Sequence, residues 1–128
     1  VNYLLDTQLL LWLAVSPAKI PSGALRLMED QANDLYFSPI SIYEVAVKRA
    51  TRASFLADPA TLQRELRAHG IVELPLISEH AATVLSLPPL HKDPFDRLLL
   101  SQAITTGMTL LTTDDILRRY PSNVLDVR

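Results

Sequence analysis

Apolar residues along this chain fall into short runs separated by longer stretches of helical spacing, and that alternation predicts strands and helices in turn. Residues 2–5 read as a buried strand, and residues 7–15 as a helix that Ser16-Pro17 ends. Pro21-Ser22 opens a second helix to about Gln31, with proline favourable in a first turn. Leu35 to Ser38 is a short aromatic-rich strand. Pro39 opens a helix to about Arg49, on which Ile42, Val45, Ala46 and Val47 face the core. After a loop over 51–58, Asp58-Pro59 starts a helix that His69-Gly70 ends, with glycine as the cap. Residues 71–74 form a third strand, and 78–87 a helix with Ser78 as its N-cap. Residues 88–92 form a rigid loop before Asp93-Pro94-Phe95-Asp96, which opens a helix to Thr106 that Gly107 closes. A strand at 108–111, a short helix at 113–119 and a strand at 123–127 complete the order.

No internal repeat or linker interrupts this order, so residues 1–128 predict one domain. Strands alternating with helices predict an α/β fold in which a parallel sheet is covered on both faces. The composition, 48% hydrophobic and 20% charged, agrees with a globular chain that has a real core. The longest apolar run, Leu9 to Val15, is far short of the roughly 20 residues of a membrane span. Without such a span or a basic-then-apolar leader, the expected compartment is cytoplasmic. The absence of cysteine excludes disulfides and thiolate metal sites. A net charge of -2 argues against coating nucleic acid by positive charge alone, and leaves a nucleic-acid enzyme open.

Four acids change the picture: Asp6, Glu44, Asp96 and Asp114. Asp6 ends the first strand, Glu44 sits within an apolar helix, and Asp96 and Asp114 open helical segments. In an open α/β sheet such positions converge at the carboxyl ends of the strands, where ligands bind. Several carboxylates together suit a hard divalent cation. Each acid also has a structural reading. Asp6 is a good N-cap, Glu44 can pair with Lys48 one turn on, and Asp115 suits a helix dipole. Asp93 and Asp96 compete for one cap. Asp93 precedes proline and takes the cap, which leaves Asp96, one turn in, for the metal role. The clustered Lys48, Arg49 and Arg52 are candidates to hold a nucleic-acid backbone, or else a solvated helix face. His91, in the loop before Asp93, reads as structural or surface rather than as a ligand, and His69 and His80 have no partner at metal-ligand spacing. No nucleophile constellation or glycine-rich phosphate loop is present, with only three glycines in the chain. The Leu9–Leu13 run reads as core, with Trp12 in it, or as an interface with another subunit or a partner protein that silences the chain.

Four segments in this order resemble PIN-domain nucleases, most closely VapC-type toxins of bacterial and archaeal toxin–antitoxin pairs. They are Leu4-Leu5-Asp6-Thr7, Ser41 to Lys48, Asp93-Pro94-Phe95-Asp96-Arg97-Leu98-Leu99 and Leu111-Thr112-Thr113-Asp114. Leu-Pro-Pro-Leu-His-Lys before Asp93 adds to the match, which spans essentially the whole chain. The resemblance implies a three-layer α/β/α sandwich and an endoribonuclease that uses Mg²⁺ or Mn²⁺. The family's four acids match Asp6, Glu44, Asp96 and Asp114, and its strand-end Ser/Thr matches Thr112. It implies hydrolysis by a metal-activated water that leaves 5′-phosphate and 3′-hydroxyl ends. It also implies an RNA substrate, a cognate antitoxin and a homodimer. Tyr43 stands where close relatives often carry Trp, which touches no catalytic position. Two other classes compete. One is a non-catalytic binding module of the same fold, whose acids serve only as caps. The other is a phosphoryl-transfer domain, disfavoured because Gln8 stands where its second acid is needed.

Overall fold

The computed structural model describes residues 1–128. Five parallel strands form one sheet: β1 (Asn2–Leu5), β2 (Asp34–Phe37), β3 (Val72–Glu73), β4 (Thr109–Thr112) and β5 (Val124–Asp126). Six α-helices lie between them: α1 (Thr7–Val15), α2 (Ser22–Glu29), α3 (Pro39–Thr51), α4 (Pro59–Ala68), α5 (Ser78–Thr83) and α6 (Pro94–Thr106).

The layers follow from the two-residue period of a strand. Leu5 and Leu111 are register partners and pack on one face with Leu9, Leu10, Phe37, Leu62 and Leu66. Leu4 and Leu110, one residue earlier on each strand, pack on the other face with Leu99, Leu100, Ala103 and Leu117. Each face thus has its own apolar core, and the sandwich has three layers, α/β/α.

Helix starts follow local chemistry. Ser38, Asp58 and Asp93 each precede a proline and accept a backbone N–H from the first turn that follows. Helix α6 ends at Gly107, whose φ of 72° is the left-handed conformation that glycine adopts without a Cβ clash.

Some boundaries differ from the pattern. The third strand keeps only two of the predicted residues 71–74, because the Ile71 N–H donates to Leu66 O at the end of α4. Ile77, not Ser78, holds the N-cap position of α5, and its N–H donates to His80 Nδ1. The predicted 78–87 helix tightens into a 3₁₀ turn over Val84–Ser86. The predicted 113–119 helix is reduced to a 3₁₀ turn at Leu117–Arg119.

The strand order is β3-β2-β1-β4-β5. The chain moves outward from β1 to β2 and β3, then crosses back to β4 on the other side. The switch between β1 and β4 opens a crevice at their carboxyl ends, the place where such sheets bind ligands.

Candidate active site

Asp6 leaves β1 at that switch point. Its own N–H donates to Leu111 O on β4, which fixes its backbone. Its Oδ1 accepts the Leu9 N–H at 2.9 Å and so caps α1. Its Oδ2 accepts the Thr112 hydroxyl at 2.7 Å and the Thr113 N–H at 3.3 Å. Thr112 Oγ1 in turn accepts the Asp114 N–H at 3.0 Å, so one hydroxyl joins the two strand-end acids. Asp114 Oδ1 accepts the N–H groups of Ile116 and Leu117, both at 2.8 Å, and closes the turn after β4.

Glu44 comes from the adjacent helix α3 and is buried. Its Oε1 accepts the Thr7 hydroxyl at 2.8 Å. Thr7 has a single hydroxyl proton, so the 2.9 Å contact between Thr7 and Ser41 has Ser41 as donor. The result is a buried relay from Ser41 through Thr7 to Glu44. The other carboxylate oxygen pairs with Lys48 Nζ at 2.6 Å, one turn along α3.

Asp96 is delivered by the first turn of α6. Asp93 Oδ1 accepts the Phe95 and Asp96 N–H groups, so Asp93 is the cap and Asp96 caps nothing. His91 stands beside it, buried. Its Nδ1 accepts the Asp93 N–H at 3.1 Å, which leaves the neutral ring's proton on Nε2. Nε2 lies 3.0 Å from Asp96 Oδ2 and 3.3 Å from Asp114 Oδ1, yet is aligned for a hydrogen bond with neither.

These groups line a cavity of about 490 Å³ that contains Asp6, Glu44, Lys48, Asp93, Asp96 and Asp114. Burial raises the Asp96 pKa to about 8, with further contributions from the charges of Asp93, Glu44, Asp114 and Asp6. Burial also raises the Asp6 pKa, against the lowering effect of its hydrogen bonds to Leu9, Thr112 and Thr113. Negative charge is thus concentrated beyond what the site's one ammonium, Lys48, offsets. His91, Asp96 and Asp114 place one donor atom each within 4.8 Å of one another. With the His91 ring proton on Nε2, the donors are the carboxylate oxygens, and oxygen donors with uncompensated negative charge fit a hard divalent cation.

The four acids and Lys48 predicted from sequence therefore share one cavity, and Thr112 lies behind it. Arg49 and Arg52 do not line it: both are exposed, and Arg49 Nη1 donates to Leu56 O at 2.6 Å. Asp115 reaches the rim, but its carboxylate pairs with Arg128 and Arg118. Sequence reasoning missed three participants. Thr7 and Ser41 carried a signal, since one follows Asp6 directly and the other lies three residues before Glu44 on the same helix side. His91 carried none beyond its place two residues before Asp93.

Residues 3–123 match the profile of the PIN domain. The chain belongs to the PIN-domain family. Among curated proteins, this PIN domain is similar to Ribonuclease VapC22 of Mycobacterium tuberculosis. Identity is 31% over 124 residues, covering 94% of this chain and 95% of that one. Among solved structures it is similar to VapBC2 from Rickettsia felis, bound to a DNA fragment from the promoter. The TM-score is 0.67 at 17% identity, covering 98% of this chain and 96% of the other. It is also similar to VapBC-5, a toxin-antitoxin family member from Mycobacterium tuberculosis. There the TM-score is 0.62 at 15% identity, covering 99% and 98%. The last two likenesses carry the PIN fold.

Proposed function

We infer that this PIN domain is a metal-dependent endoribonuclease and the toxin half of a toxin–antitoxin pair. One observation carries the reading. Asp6 and Asp114 serve as caps and Glu44 pairs with Lys48, but Asp96 caps nothing and meets no lysine or arginine, and yet it sits in the same charged cavity. A binding module whose acids are only caps and ion pairs accounts for the first three and leaves Asp96 costly. The similarity to a protein named a ribonuclease, over nearly the whole of both chains, supports the same reading.

Asp6, Glu44, Asp96 and Asp114 would hold Mg²⁺ or Mn²⁺. When bound, the ion supplies Lewis acidity and positive charge at the scissile phosphate. The chain's own groups do the rest. Thr112, Leu9 and Thr113 hold Asp6 in one rotamer by donating to both its oxygens. The Ser41–Thr7 relay fixes Glu44, and Lys48, paired with Glu44 on the cavity wall, would meet a phosphate oxygen. A cavity carboxylate takes the proton of the attacking water as the new P–O bond forms. The P–O3′ bond breaks and the leaving oxygen takes a proton from solvent, giving a 5′-phosphate and a 3′-hydroxyl. Lys48, Arg49 and Arg52 together would track the RNA backbone. The cognate antitoxin and a second copy of the chain are its expected protein partners.

The test is cleavage of purified total RNA with and without Mn²⁺, beside Asp6→Asn. Metal-dependent cutting that the variant lacks is expected, with suppression when the antitoxin is added. Cyclic phosphate ends would reject water as the attacking group, and metal-independent cutting would reject the role of the acids.

A further inference from the structure

One wall of the acid cavity differs from the rest. Helix α1 contributes Gln8, Leu11 and Trp12, which fall at spacings of three and four residues and so share one side of the helix. Leu11 and Trp12 supply the only apolar lining in a cavity otherwise made of charged and polar groups. Trp12 is half buried: it packs against the core that contains Leu5 and Leu9, and it also borders the cavity. The cavity's hydrogen bonds join its carboxylates to Thr7, Lys48, Thr112 and backbone N–H groups, and Gln8 and the indole take part in none. A flat aromatic body beside an uncommitted amide, next to a cluster suited to a cation and a phosphate, matches the parts of a nucleotide. Unpaired bases are held by stacking on aromatic rings and by hydrogen bonds to their edges. An amide offers both a donor and an acceptor to such an edge.

We propose that Gln8 and Trp12 form a nucleobase subsite, which seats one unpaired base of the substrate beside the scissile phosphate. This rests on the ribonuclease reading and adds to it the residues that choose where the strand is cut. Trp12 stacks against the base, and Gln8 reads its edge. A base paired in a duplex is covered on both sides by its neighbours and cannot enter. A volume of about 490 Å³ accommodates a ligand of nucleotide size.

Trp12 is the only tryptophan in the chain, so its fluorescence reports on this wall alone. The experiment titrates the protein, in Ca²⁺, with a short single-stranded RNA of mixed sequence. The comparison is a set of RNAs in which each nucleotide around the mapped cleavage point is made abasic in turn. Quenching by the intact strand is expected, with loss of both quenching and affinity when one particular base is missing. Stacking by one base corresponds to a loss of roughly 5- to 150-fold in affinity. Trp12→Leu, which keeps an apolar side chain against the core but removes the aromatic face, should bind intact and abasic strands equally. Trp12→Phe should retain the distinction, and Gln8→Ala should alter which base is preferred at that position. Cleavage by the wild type with no sensitivity to any missing base overturns the subsite and leaves the ribonuclease reading standing. Absence of both binding and cleavage overturns both. Variants that cut RNA normally but no longer bind the antitoxin would reassign this wall to a protein contact and overturn the proposal.

Discussion

Replacing Asp96 with asparagine tests the electrostatic account of the site most directly. The side chain is about 18% exposed and its pKa rises from 3.8 to about 8. The folded, metal-free protein therefore binds a proton at Asp96 that the unfolded chain releases near pH 4. Stability from this group is fully present below pH 3.8 and falls as pH rises toward about 8. Raising a pKa by one corresponds to about 1.4 kcal/mol, which puts the loss at about 4 kcal/mol at pH 7. Water and salt entering the open cavity reduce this to about 2–3 kcal/mol. An asparagine at this position would keep the shape and carry no charge. In EDTA at pH 8, Asp96→Asn should therefore melt roughly 6–12 °C above the wild type. The gap should close by pH 4, where the wild-type carboxyl is neutral. With Mn²⁺ the order should reverse, because the wild type gains stability through binding and the variant gains less. Thermal melts across pH 4–9, with and without metal, measure all of this. A variant less stable than the wild type at pH 8 in EDTA would refute the reasoning and show that Asp96 holds the fold as a cap does.

Asp6→Asn should behave differently. Oδ1 and Oδ2 of Asp6 both accept hydrogen bonds, so an amide turns one acceptor into a donor facing another donor, and the metal-free melting temperature should not rise as it does for Asp96→Asn. A matching rise would show that the cap contributes little. Thr112→Val removes a donor to Asp6 and an acceptor for the Asp114 N–H, and should cost about 1–3 kcal/mol in urea unfolding. Because the Thr112 hydroxyl lowers the Asp6 pKa, the same variant should lose stability more steeply as pH rises; an unchanged slope would contradict the assigned bond. Thr7→Val should weaken Mn²⁺ binding by isothermal titration while leaving α1 capped, and unchanged affinity would remove Thr7 from the site. Arg49→Ala and Arg52→Ala should each lower the slope of log affinity against log salt by about 1 for RNA binding, and an unaltered slope would leave them as solvated surface.

Much of this arrangement is legible in the sequence because acids at strand ends and helix starts have few alternative placements. Asp93-Pro94 marks a cap so strongly that Asp96 is free for another role, and the hydrogen bonds of α6 have that form. The preference for Asp114 over Asp115 comes from its nearness to the strand end. The structure turns Asp114 toward His91 and Asp115 toward Arg128 and Arg118. His91 is not legible, because what places it is long-range. The Tyr120 hydroxyl accepts its backbone N–H and donates to Pro88 O, and no local pattern links residues 29 positions apart. Trp12 reads mainly as core, and that is half of its environment: a pattern of apolar residues reports burial but not which edge of a ring remains open. The short turn after β4 escapes for a different reason. Its N–H groups go to the Asp114 side chain rather than to the backbone carbonyls that would extend a helix.

The bond from Thr112 to Asp6 spans 106 positions of the chain. Closing so long a loop costs entropy, which the pairing of β1 with β4 offsets before this one bond adds to it. Asp6, Glu44 and Asp96 all precede residues 109–114 in the chain, and Asp6 takes two of its hydrogen bonds from that segment. The cluster therefore depends on residues 109–114, and a chain truncated before them carries three of its acids without the geometry to use them.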